Sequence, residues 1–223
     1  VLPEENAAQL RLAHHILLRL LSALPPGLLE MTVIDPRKQG QSFEPFRSLL
    51  KVKPIVPHQS VLTRSDEIED ALNDLATEVE NLIQRRFNDR EHNWSQFNAK
   101  HAENPLPYRI VLLFHVPEQL SDKSLWLLER LCENGPRCGI LPVLAIDELR
   151  LEDQRFEKFR TAVDNVTIRL DSLLHCPEDS GNDLSFIYQP EQWPDSAALE
   201  KIISVYAERC AAKARFSKSM TDL

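Results

Sequence analysis

Glycine is scarce in this chain: five residues in 223, at positions 27, 40, 135, 139 and 181. A phosphate-binding loop needs glycines so that backbone N–H groups can wrap the phosphates, with a Lys and a hydroxyl to follow. None of the five lies in a GxxxxGK[ST] run or in GxGxxG, so residues 1–223 hold neither motif. Cysteine is sparse as well. Cys132, Cys138, Cys176 and Cys210 are scattered, with no CxxC pair. That excludes a disulfide framework and a cysteine metal site as readings, and leaves structural free thiols. No apolar run approaches the roughly 20 residues of a membrane span, and no signal peptide is visible in residues 1–223. The chain is therefore expected to be cytoplasmic, with no membrane contact from this segment. Positive charge is also in short supply, 26 Lys and Arg against 34 Asp and Glu, for a net charge of -8. Duplex binding draws most of its affinity from Lys and Arg against phosphate, so this chain alone is not a nucleic-acid clamp. The GxSxG elbow of α/β hydrolases is missing too.

What is present is a run of alternating helix and strand signals. With 43% hydrophobic and 27% charged residues, the chain is long enough for one full α/β core. Residues 6–24 carry Ala7, Leu10, Ala13, Leu17, Leu20, Leu21 and Leu24 at helical spacing, and LPPG stops them. MTVIDPR (31–37) reads as a buried strand ended by Asp35-Pro36, because proline cannot donate to a ladder. Residues 48–63 are broken by prolines, with a short strand signal at 61–63. From Ser65 to Phe87 runs the clearest helix. Ser65 is its expected cap, acids crowd its first turn and Arg85-Arg86 its last, as the helix dipole favours. A short helix is expected at 93–100, a strand at 109–116 and a helix at 122–134. A strand within 135–147, a charged helix near 152–163, strands at 166–171 and 183–190, and a closing helix at 196–215 complete the reading. Strands apolar throughout and separated by helices indicate a mostly parallel sheet covered on both faces.

In such a sheet the ligand crevice lies beyond the carboxyl ends of the strands. Asp35, His115, Val116 and Asp147 are the residues at those ends. Asp35 and Asp147 could together hold Mg²⁺ through oxygen ligands; alternatively each caps the turn that it begins. The other histidines are unpromising. His14 falls at the border of the first helix's apolar face, and His15 is expected to face water. His92 and His101 lie in a polar connection. His175 and Cys176 are adjacent in a loop with no third group to orient them as a nucleophile pair. The charge-rich stretches 88–92 and 150–160 are mixed in sign, the mark of solvated surface. The chain opens VLPEEN, with no initiator Met and almost directly into a helix, and is expected to be a piece of a longer protein.

The order of segments carries more information than any one of them. LLRLLSALPPGLLEMTVIDPRKQGQSFEPF is followed by VLTRSDEIEDALNDLATEVENLIQRRF, NWSQFN, PYRIVLLFHVPEQL and GPRCGILPVLAID. This succession resembles FtsK/SpoIIIE-type motor ATPases over most of residues 7–147. In that family a helix leaves the P-loop, a strand ends Ile-Asp-Pro-Lys, and a long helix and an Asn-x-x-x-[YF]-Asn segment follow. The Walker B strand and a strand ending Thr-Gln come next. The resemblance implies a RecA-like P-loop NTPase core, one domain over 1–223, with ATP and Mg²⁺ as the family's cofactors. The departures fall where ATP chemistry is done. The two Walker B acids correspond to His115 and Val116, and the Thr-Gln pair to Ile146-Asp147. Arg37 replaces the Lys of the first strand's motif. Valine takes no proton from water, and imidazole is a poor Mg²⁺ ligand. Glu118 lies nearby but is offset past Pro117.

Two functions follow from the resemblance. In one the chain is a non-catalytic module of a multi-ATPase motor, with no cofactor, no catalytic residue and no metal. Its partners are then neighbouring ATPase modules or subunits, and DNA, or protein, is engaged only through the full-length motor. In the other it is an active ATPase domain of a DNA translocase whose P-loop lies upstream of residue 1, with acids drawn from Asp35, Glu118 or Asp147.

Overall fold

The computed structural model describes residues 4–87, 92–146, 152–164 and 192–221. Three strands form its sheet: β1 (Leu29–Ile34), β2 (Tyr108–Val116) and β3 (Ile140–Ile146), in the order β1-β2-β3. Both pairings are parallel. Leu29 lies opposite Tyr108, and Arg109 opposite Ile140. All three carboxyl ends therefore point the same way, as expected for an α/β core with helices on both faces.

Side-chain alternation splits the core into two layers. Ile34, Val111 and Leu113 point to one face. There they meet α2 (Ser65–Asn81), α4 (Asp122–Asn134) and α5 (Glu157–Asp164) through Leu72, Leu128, Phe159 and their neighbours. Met31, Val33, Ile110 and Leu112 point to the other. That face is covered by α1 (Glu4–Ala23) through Leu17 and Leu21, and by α6 (Ser196–Thr221) through Leu199, Ile203 and Tyr206. Leu17, Leu72, Leu112 and Leu128 are each 0% exposed, and such a side chain contributes about 2 kcal/mol by leaving water.

Four local features differ from the sequence expectations. Arg64, not Ser65, is the N-cap of α2, and it makes no side-chain capping bond. Stabilisation of that first turn falls to the dipole effect of Asp66 and Glu67. The far end of the helix is not α-helical but a π-turn over Leu82–Arg86. Residues 41–51, which run into the start of the proline-broken region, form a 3₁₀ helix in which Phe43, Phe46 and Leu49 are each 0% exposed. A spacing of three on one face is the 3₁₀ repeat, which a search for 3.6-residue or two-residue periods passes over. The strand signal at 61–63 is a single parallel bridge, Ile34 to Leu62. The Leu62 N–H donates to Val33 at 2.8 Å, and the Asp35 N–H to Leu62 at 3.0 Å. The strands expected at 166–171 and 183–190 lie outside the described residues.

The NWSQFN segment has a structural task. Asn93 caps α3 (Trp94–Lys100) by accepting the Gln96 N–H at 3.0 Å. The Asn98 amide holds Leu106 from both sides, donating to its carbonyl and accepting its N–H, each at 2.8 Å. Trp94 donates to the Leu106 carbonyl at 3.0 Å and lies 3.8 Å from the Tyr108 ring. The same indole fills the space above Gly139, where a Cβ would stand 2.3 Å from it and where φ is +76°. Glycine is required there on both counts. Together these contacts set the level at which β2 and β3 enter the sheet.

Candidate functional site

Asp35 follows the last residue of β1, because Pro36 ends the ladder. Its carboxylate turns back into the loop that it starts and is 0% exposed. One oxygen accepts the Lys38 N–H at 3.2 Å; the other accepts those of Gly40 at 3.1 Å and Ser42 at 3.0 Å. Three converging N–H groups are what a buried carboxylate needs in place of water. Gly40 makes the loop possible: its φ is +90°, and a Cβ there would press within 3.2 Å of Val61.

The tip of β2 is irregular. Its register with β3 shifts between Leu113 and Val116, and His115 within that bulge has φ +61°. A left-handed non-glycine residue of this kind stores on the order of 1 kcal/mol. The imidazole turns inward, and its side chain is 12% exposed. Its Nε2 lies 3.3 Å from the Ser42 hydroxyl and 3.7 Å from Asp35 Oδ1. Serine, histidine and aspartate thus sit together, yet they do not form a catalytic relay. A relay needs the nucleophile on one ring nitrogen and the carboxylate on the other. Here both approach Nε2, and Ser42 is 2% exposed.

Val116, opposite Ile146, is 1% exposed and belongs to the apolar layer with Leu113 and Leu120. Glu118 is half-buried in the turn that follows, and its N–H donates to the His115 carbonyl at 2.8 Å. Asp147, the proposed partner of Asp35, lies outside the described residues, as do His175 and Cys176. Among the described residues no three His, Cys, Asp or Glu side chains converge as a metal site would require.

The helical histidines depart from expectation. His15, expected to face water, is 7% exposed and packs edge-on against Trp193 at 5.1 Å. His14 is 8% exposed, and its Nε2–H donates to the Ser42 carbonyl at 2.8 Å. Burial pushes its imidazole below the usual range. The physical reason is long-range: Trp193, which precedes α6, covers this face of α1, and helical periodicity carries no sign of it. His92 and His101 are exposed, as expected. Cys132, Cys138 and Cys210 are buried free thiols. Burial pushes the Cys132 thiol up to about 11, well outside the reactive range. Ser42 is the member of this cluster that sequence reasoning missed. It is 73 residues from His115, and no local signal joins the two.

The parallel sheet, its two helical layers and the order of its elements make up an α/β fold that is known from ATPase structures. Three solved structures share it. One is EssC (ATPases 2 and 3) from Geobacillus thermodenitrificans, with a TM-score of 0.58 at 14% identity over 92% of this chain and 42% of that one. Another, the cytoplasmic domain of EssC, gives 0.55 at 17% identity over 92% and 42%. The cytoplasmic domain of the Thermomonospora curvata Type VII secretion ATPase EccC gives 0.50 at 18% identity over 69% and 18%. This chain thus spans less than half the length of each structure. No family model matches the sequence, and no curated protein matches it. At these identities the likeness is one of fold. Among the described residues no helix is long and apolar enough to cross a membrane.

Proposed function

We propose that residues 1–223 form one non-catalytic ATPase-fold module of a larger multi-ATPase secretion motor, acting in assembly, spacing or regulation. The observation that carries this reading is the tip of β2. Where the family places two acids, one residue is a valine sealed in the core at 1% exposure. The other is an inward-turned imidazole next to a carboxylate already held by three N–H groups. The described strand ends do not fit an Mg²⁺–ATP centre: Asp35 is closed off from solvent, and Val116 can neither bind a metal shell nor accept a proton. Core packing and site chemistry are separable, so a module can keep the first without the second.

The likeness to EccC, described as a secretion ATPase, favours protein over DNA as the cargo of the whole motor. The net charge of -8 agrees with a module that leaves nucleic acid alone. Its partners in this reading are neighbouring ATPase modules, such as EssC carries in its ATPases 2 and 3, and its setting is the cytoplasm. Calorimetry with ATP and Mg²⁺, beside a phosphate-release assay, tests the proposal; neither binding heat nor turnover is expected. Turnover that disappears in an Asp147→Ala variant would instead establish an active ATPase.

A further inference from the structure

At the opposite end of the sheet from Asp35, a cavity of about 110 Å³ opens between β1, α2 and the Pro57–His58 segment. Glu30 and Arg109 are register partners there, the second residues of β1 and β2. The Arg109 guanidinium donates to Glu30 from Nε at 2.8 Å and to Glu78 from Nη1 at 2.5 Å. Asp74, one helical turn before Glu78, lines the same cavity. Two carboxylates thus pair with one guanidinium, and a third, exposed one lines the same cavity. Burial drives the Glu78 carboxyl above its usual range despite Arg109, and the negative charge of Glu30 adds to the effect. One guanidinium is thus shared among the carboxyl groups of this cavity.

Two further features point to a ligand. Thr32 is 8% exposed and lines the cavity, and its hydroxyl has no hydrogen-bond partner among the described residues. No fully enclosed side-chain polar atom is orphaned among them, so that hydroxyl keeps some exposure. The floor on the α2 side is apolar: Ala71 and Leu75 are 3% and 8% exposed.

We infer that this cavity binds a primary alkylammonium group, its methylenes on the apolar floor and its N–H donors toward Asp74, Glu78 and Thr32. An ammonium offers three donors on an apolar stem, matching unfilled acceptors above apolar walls. The volume is somewhat below the roughly 150 Å³ of a cavity that holds benzene, which suits a short aminoalkyl chain. A divalent cation fits less well, since no three metal-ligating side chains converge among the described residues. The amine can come from a free diamine or from a lysine of a partner protein. The inference does not rest on the ATPase reading.

The test is an amide-resolved NMR titration of the 223-residue chain with 1,5-diaminopentane, with a lysine-containing peptide and with that peptide acetylated on the ε-amine. Saturable shifts are expected at residues 30–32, 71–78 and 109 from the amines and none from the acetylated peptide or from 1-pentanol. Asp74→Asn, at an exposed position whose spectrum reports its own folding, is expected to weaken binding about fivefold, the scale of one partly screened charge pair. Added salt is expected to weaken it as well. Tighter binding of the peptide than of the diamine assigns the site to a partner's lysine, and the reverse order to a free amine. No saturable shift from either amine, or equal affinity in wild type, Asp74→Asn and Glu78→Gln, overturns the inference.

Discussion

The two ends of the sheet treat charge in opposite ways. At the carboxyl end, Asp35 is enclosed with three backbone donors, His115 folds inward over it, and Val116 closes the layer beneath. At the amino end, Glu30 and Glu78 pair with one arginine in an open cavity that Asp74 also lines, with a threonine hydroxyl left over. Motor ATPases of this fold are expected to work at the carboxyl end. In the function proposed above that end serves as structure, and the acidic cluster lies some 16 Å away, five residues back along β1 at ~3.3 Å each. Fold likeness therefore locates where chemistry is to be expected, and measurements on individual side chains decide whether it remains.

The sharpest way to break the comparison is to put an acid back. Val116→Glu places a carboxylate in an apolar layer with no partner, and a loss of about 3–5 kcal/mol is expected, as for an uncompensated buried charge. Chemical denaturation measures it, and a phosphate-release assay on whatever remains folded is expected to stay at background. A variant that folds with unchanged stability and hydrolyses ATP would mean that the tip of β2 is an open site.

Asp35→Ala comes next. The substitution strands the N–H groups of Lys38, Gly40 and Ser42 in a closed loop, at a cost of about 2–3 kcal/mol. A drop in the denaturation midpoint at constant slope would report this as a loss of stability with no change in the surface exposed on unfolding. If instead Asp35 serves a cation, the variant loses little stability, and added Mg²⁺ shifts the wild-type midpoint but not the variant's.

How much of this was legible beforehand follows the range of the interactions. The α2 stripe, the end of β1 at Asp35-Pro36 and the apolar β2 are local patterns, and they appear where the residues put them. The turn reading of Asp35 was equally local, since Asp-Pro announces it. Residues 41–51 escaped because their period of three is rare. His14 and His15 escaped because Trp193, some 180 positions on, covers them. The Ser42–His115 approach and the Glu30–Arg109–Glu78 group depend on strand register, which no periodicity encodes. Arg109 and Glu30 did leave one trace: a charge of each sign at the start of two otherwise apolar strands.

The smallest effect sharpens the amino-terminal half of the comparison. Glu78 holds its proton more tightly folded than unfolded, because burial outweighs the pull of Arg109. A carboxyl of raised folded pKa favours the native state fully below its unfolded value, near 4.5, and that contribution fades as pH rises through the higher folded one. Glu78→Gln cannot ionise in either state. Relative to it, wild type is expected to lose stability as pH rises above about 4.5, with the difference levelling off once the folded carboxyl has ionised, a shift readable in paired urea titrations at several pH values. A saturating alkylammonium at the cavity should shrink the difference, because the added positive charge stabilises the ionised carboxylate. A difference of the opposite sign would mean that Arg109 alone already compensates Glu78, and the excess negative charge at this end of the sheet would then be absent.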